Sequence, residues 1–210
     1  MNSDHTIFLQ SELSRLRAEN DTLRNDLFRL RSFVEALTDL SAAEVKFKDH
    51  ADLLRLLDNI LRNTLDLLSA PDGSLMLLDT DTGELEFVIV HGDARDSLVG
   101  QRLQPREGVA GWVAATGQPV LIGDVRTDPR FSERVDEMVD FHTKSIAAAP
   151  LVGNGRVLGV VEALNQPEDA PFVDMDRALL TLLCRFAGEA LADIEAATSA
   201  AEETSAPEAG

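Results

Sequence analysis

Leucine returns every seventh residue near the start of the chain, at Leu9, Leu16, Leu23, Leu30 and Leu37. With these at position d of a heptad, position a reads Leu13, Asn20, Leu27 and Val34. An apolar repeat of about 3.5 residues, held this long, winds helices into a coiled coil. The one polar residue in the seam, Asn20, selects two parallel strands. It bonds its own symmetry mate there, whereas a shifted register or a larger bundle would bury it unpaired. The flanking charges agree. Positions g carry Glu12, Glu19 and Asp26, and positions e carry Arg17, Arg24 and Arg31. In a parallel pair each g faces the following e of the other chain, giving Glu12–Arg17, Glu19–Arg24 and Asp26–Arg31. An antiparallel pair would oppose like charges. A helix merely packed on its own domain would not need this complementarity. No basic region precedes the leucines, so a DNA-binding zipper is not expected.

Neither Gly nor Pro occurs between residues 6 and 70. The helix is therefore expected to continue, or to offset gently, into a second apolar face. That face runs through Leu53, Leu54, Leu57, Ile60, Leu61, Leu65 and Leu68 and would pack on a globular body. Three regions follow: a coiled-coil helix over 1–45, a domain over 46–196, and an acidic tail over 197–210 without apolar periodicity, expected to be disordered. The chain of 210 residues carries a net charge of −18, which repels phosphate backbones and anionic lipid, so neither nucleic acid nor membrane is expected as a partner. No apolar run has the ~18 residues of a membrane helix. No basic segment followed by an apolar stretch opens the chain, so no secretory signal is expected. The single cysteine, Cys184, excludes an intramolecular disulfide and fits a reducing, cytoplasmic setting.

Within the body, Pro71-Asp72-Gly73 ends the helix. Two apolar runs, 74–79 and 85–90, flank Asp81-Thr82-Gly83 and read as a β-hairpin. A short strand is expected within 98–103, a short helix over 108–117 with a Gly stop, and a strand over 120–122. A polar loop and short helix follow over 124–140. Residues 145–151 and 157–164 form a second hairpin turned by Gly153-Asn154-Gly155, and 173–196 a final amphipathic helix. This order is that of an α+β fold, an antiparallel sheet backed by its terminal helices.

Four segments of the body carry a resemblance in their order and spacing: Gly108-Val109-Ala110-Gly111-Trp112-Val113, Asp124-Val125 with Asp128-Pro129-Arg130-Phe131, Lys144 to Leu151, and Gly159 to Asn165. With them, residues 51–196 resemble the GAF domain family of sensory and regulatory small-molecule-binding domains. The resemblance implies a GAF-like antiparallel sheet flanked by helices. It also implies a pocket drawing on Trp112, Asp124, Arg126, Asp128, Arg130, Phe131 and Thr143. Arg126 and Arg130 would either grip an anionic ligand or pair with Asp124 and Asp128. The signature of cyclic-nucleotide GAF domains is matched at Asn165, Phe172 and Asp176. Gln166 and Arg177 stand where that signature has Lys and Glu, so its Lys–Asp ion pair is replaced at best by a Gln166–Asp176 hydrogen bond.

No catalytic constellation emerges. The four histidines, His5, His50, His91 and His142, are scattered, and Cys184 beside Leu183 reads as core. No catalytic residue and no metal site is assigned, and no cofactor is identified. The reading is a non-catalytic signal-transduction protein. It is a parallel homodimer that binds a small ligand, a nucleotide among the candidates, and signals through a separate protein. The alternatives are a dimeric interaction scaffold with a degenerate pocket, and a haem-based redox or gas sensor using His142.

Overall fold

The computed structural model describes residues 2–43, 50–167 and 170–205. Two helices come first, α1 (Asn2–Ala43) and α2 (His50–Leu68), followed by strands β1 (Asp72–Leu78) and β2 (Leu85–His91). Then come α3 (Arg95–Leu98), β3 (Arg102–Leu103), α4 (Gly108–Thr116), β4 (Val120–Ile122), a 3-10 turn (Val125–Thr127) and α5 (Arg134–Val139). The hairpin β5 (Ile146–Gly153) and β6 (Arg156–Leu164) leads to α6 (Asp174–Ser205). The strands form one antiparallel sheet in the order β3-β2-β1-β6-β5-β4, the α+β architecture expected from the sequence.

Local chemistry sets the turns. The β5–β6 hairpin closes through Asn154 and Gly155, both at positive φ (51° and 71°), as the tightest hairpin turn requires. Between β1 and β2, Asp79 accepts from the backbone N–H groups of Asp81 and Thr82, at 3.0 and 3.1 Å.

Alternation along the strands divides the core in two. Leu75 sits opposite Val161, and Met76 opposite Val160. The Leu75 face, with Ala147, Ala149, Leu151 and Ala163, is buried under α2 and α6. Gly153 and Gly188 let β5 and α6 touch backbone to backbone: a Cβ on Gly188 would stand 2.4 Å from the Val152 carbonyl oxygen. The Met76 face, with Val90, Ile146, Ala148 and Val160, lies under α4 and the segments around it.

The helix pair differs from the expected continuous or gently offset rod. α1 lies against both α2 and α6. Ala36 is fully buried, and Phe33 packs on the α2–α6 core. Arg29 donates to Asp176 in the first turn of α6. Burying this second apolar stripe favours the folded-back arrangement, and it needs no Gly or Pro to mark it. The leucine seam points elsewhere. From Leu9 to Val34 its apolar residues remain between 49% (Leu13) and 69% (Leu27) exposed, and only Leu37 is half-buried. α6 runs on to Ser205, past residue 196, because alanine sustains a helix without apolar periodicity; residues 206–210 of the expected tail lie outside the described residues. No described helix is long and apolar enough to cross a membrane.

Candidate functional site

The Met76 face of the sheet is not fully covered. Between it and α3, α4 and α5 lies a cavity with about 730 Å³ of space between atoms, part of it open to solvent. Ser74, Phe87, Val90, Ile146, Glu162 and Leu164 form its floor, while Val109, Ala110, Phe131, Val135 and Phe141 close it from above. Most of the lining is apolar, with a few polar groups converging on it, the usual make-up of a small-molecule site.

Half of those polar side chains are acidic: Asp72, Glu107, Asp136 and Glu162. Glu162 sits in β6 opposite Ser74 on one side and Ala148 on the other. Its carboxyl receives no hydrogen bond from the protein, and burial, with the Asp136 charge adding to it, pushes it up to about 7. Asp136 on α5 is held by Thr143, whose backbone N–H and hydroxyl donate to its two oxygens at 2.8 and 2.7 Å. Asp72 at the start of β1 is raised by burial; the Asp93 backbone N–H works against that and the Asp93 charge with it. Glu107 bonds twice to Arg134, which holds it below the usual carboxylate range. Among the described residues lining the cavity there is no Lys or Arg.

His91 ties the cavity to the helices. It lines the wall from β2, and its Nε2 lies 2.8 Å from Asp58 Oδ1 on α2. Burial alone would raise Asp58, but the hydrogen bonds from Arg62 and His91 outweigh it and hold it low.

Of the residues expected around a ligand, Phe131 and Thr143 line this cavity. The others lie outside the lining. Arg126 forks onto Asp124 and Arg130 onto Asp128, each through two side-chain bonds of 2.6–2.9 Å. Arg130 also covers the Trp112 ring, 4.5 Å from its centroid. The signature residues lie at the corner between sheet and last helix. Asn165 accepts from Lys144 N–H at 2.7 Å and donates to the His142 carbonyl at 3.0 Å. Phe172 is buried. Gln166 donates to the Leu68 carbonyl at 3.0 Å instead of meeting Asp176. Asp176 instead caps its own helix by accepting from Val173 N–H at 2.6 Å, and it takes Arg29 of α1 as its cation. His142 is exposed, with Nδ1 2.9 Å from the Phe141 carbonyl oxygen. Cys184 is fully buried and its thiol pushed far up by that burial. Sequence reasoning missed Glu162, Asp72 and Asp136. A lone acid inside the apolar run Val157–Leu164 was the legible trace of the first.

The antiparallel sheet thus carries helices on one face and a roofed cavity on the other. The chain belongs to the GAF domain family, whose model matches residues 52–191. It is 29% identical over 182 residues to the dual 3',5'-cyclic-AMP and -GMP phosphodiesterase 11A of Takifugu rubripes, a match covering 79% of this chain and 20% of that protein. The chain thus spans about a fifth of that relative's length. The GAF domain of a phosphoenolpyruvate-protein phosphotransferase from Coxiella burnetii superposes with a TM-score of 0.67 at 20% identity, covering 80% of this chain and 98% of that one. A free methionine-R-sulfoxide reductase from Neisseria meningitidis shares the fold, with a TM-score of 0.62 at 22% identity over 79% of this chain and 91% of that one.

Proposed function

We propose that this protein is a non-catalytic sensor in which a small molecule occupies the cavity over the Met76 face and two chains pair in parallel along residues 9–37. The observation that carries the reading is the cavity itself, roofed, largely apolar and furnished with polar groups, Glu162 among them lacking a protein partner. A scaffold with a pocket filled by its own side chains is the competing reading, and the open cavity weighs against it. The exposed seam supports pairing: its apolar residues face away from the body that Arg29, Phe33 and Ala36 bind.

Ligand binding would reach the helices through His91 and Asp58, since His91 lines the cavity from β2 and its partner Asp58 sits on α2. A ligand that favours one of two arrangements of α1 and α2 shifts the dimer toward it, and a separate signalling protein, in the cytoplasm, reads the change. The phosphodiesterase relative makes cyclic AMP and cyclic GMP the first ligands to test. Thermal unfolding of the full chain across a nucleotide and metabolite panel tests the reading, because a ligand that binds only the folded state raises the midpoint. A midpoint indifferent to every compound, with a protein partner recovered by pull-down, would favour the scaffold.

A further inference from the structure

We infer that the cavity is built for a ligand presenting a cation or a fork of N–H donors, an amine or amidine on a flat apolar body, and not for an anionic phosphate. The inference rests on the ligand-binding reading and narrows it.

Glu162 decides the polarity. Its carboxyl has no protein donor and faces the cavity from the middle of the sheet. Glu162 is half-buried in the cavity wall, and a carboxylate there without a protein partner is stabilised by a donor or a positive charge brought to it. Asp72 and Asp136 line the same space, and the described lining contains no Lys or Arg to neutralise them. A phosphate there would face like charge on two sides and find no Lys or Arg among the described residues of the wall, whose one histidine, His91, is already engaged with Asp58. An amidinium would meet Glu162 as a bidentate partner while Phe87 and Phe131 covered the plane of its ring. The two arginines that look suited to an anion, Arg126 and Arg130, already pair with Asp124 and Asp128 and lie outside the lining.

Benzamidine, its neutral isostere benzamide and its anionic counterpart benzoate separate charge from shape. Each is titrated calorimetrically into the full chain at pH 8, beside cyclic AMP and cyclic GMP. Benzamidine is expected to bind about tenfold more tightly than benzamide, the difference one charge-assisted hydrogen bond makes, and benzoate least of all. Glu162→Gln should erase that preference. The wild-type chain at pH 5.5 supplies the same test without a substitution: protonating Glu162 should weaken benzamidine and leave benzamide unchanged. Asp72, Asp136, Glu107 and His91 also face this space, so the pH result is read together with the variant.

Benzoate or a cyclic nucleotide binding more tightly than benzamidine overturns the charge assignment and leaves the ligand-binding reading standing. Equal benzamidine affinity in the wild type and Glu162→Gln overturns it too. Silence of all five compounds removes this inference and counts against the reading beneath it.

Discussion

Exchanging Glu162 for glutamine keeps the shape of the side chain and removes a charge that the folded protein resists. The folded carboxyl titrates at about 7 against its ordinary 4.5, because burial and the Asp136 charge disfavour ionisation. The folded state therefore holds its proton more tightly than the unfolded one. Stability from this group is complete below about 4.5, falls as pH rises toward 7, and is level again above that. Between pH 5.5 and 8 the loss comes to about 2 kcal/mol, taking ~1.4 kcal/mol for each tenfold change in the proton equilibrium. The carboxylates held low by arginines or backbone donors, Asp79, Glu107, Asp124 and Asp128, behave oppositely. Their contributions are present above the ordinary carboxylate range and lost only in stronger acid, so they are flat across this window. Asp72, raised by burial, slopes the same way as Glu162 and remains in the variant. Urea unfolding, followed by circular dichroism at one protein concentration and at both pH values, measures the difference. Glu162→Gln should stabilise the protein more at pH 8 than at pH 5.5, by about 2 kcal/mol. Equal gains at the two pH values, or a loss at pH 8, would refute the claim that this carboxyl lacks a partner.

Gly188→Ala should lower stability by about 1–3 kcal/mol, the usual cost of overpacking, despite alanine's better helix propensity, since its methyl group would meet the Val152 backbone; thermal unfolding measures it. Arg29→Ala removes the cation from the buried Asp176 and should speed amide exchange in residues 29–37 as α1 loosens from the body, whereas unchanged exchange would mean that the contact does not hold the helix. Asn20→Leu should stabilise the coiled coil and blur its choice of two strands, and a strictly dimeric product in light scattering would remove the register role of Asn20. Deleting residues 1–40 should weaken self-association strongly in sedimentation.

Most of the fold was legible because it follows from local signals: short apolar runs bounded by turn residues in β1, β2, β5 and β6, the left-handed Gly117 that stops α4, and the Asn154-Gly155 turn. The folded-back course of α1 was not. Its second stripe, Phe33 and Ala36, is short and sits beside a stronger heptad pattern, and only the tertiary contact with α2 and α6 gives it meaning. The cavity was half legible. Phe131 lies within one of the family-like segments and Thr143 directly before another, but Arg126 and Arg130 have acids two residues before them, and one-residue turns let each pair close on itself. Glu162, Asp72 and Asp136 come from three separate elements, and sequence distance conceals that the sheet and α5 bring them to one space.

The dimer in which the sensor is proposed to work is tested most directly by Leu13→Cys at a position a of the seam. The native Cys184 is fully buried and does not compete for oxidation. In a parallel pair the two introduced thiols face each other across the axis, whereas an antiparallel pair sets them near opposite ends. The account predicts that mild oxidation converts the variant almost wholly to a disulfide-linked dimer on a non-reducing gel, at protein concentrations where the wild type sediments as a dimer. A variant that stays uncrosslinked, from a chain that sediments as a monomer, would contradict it.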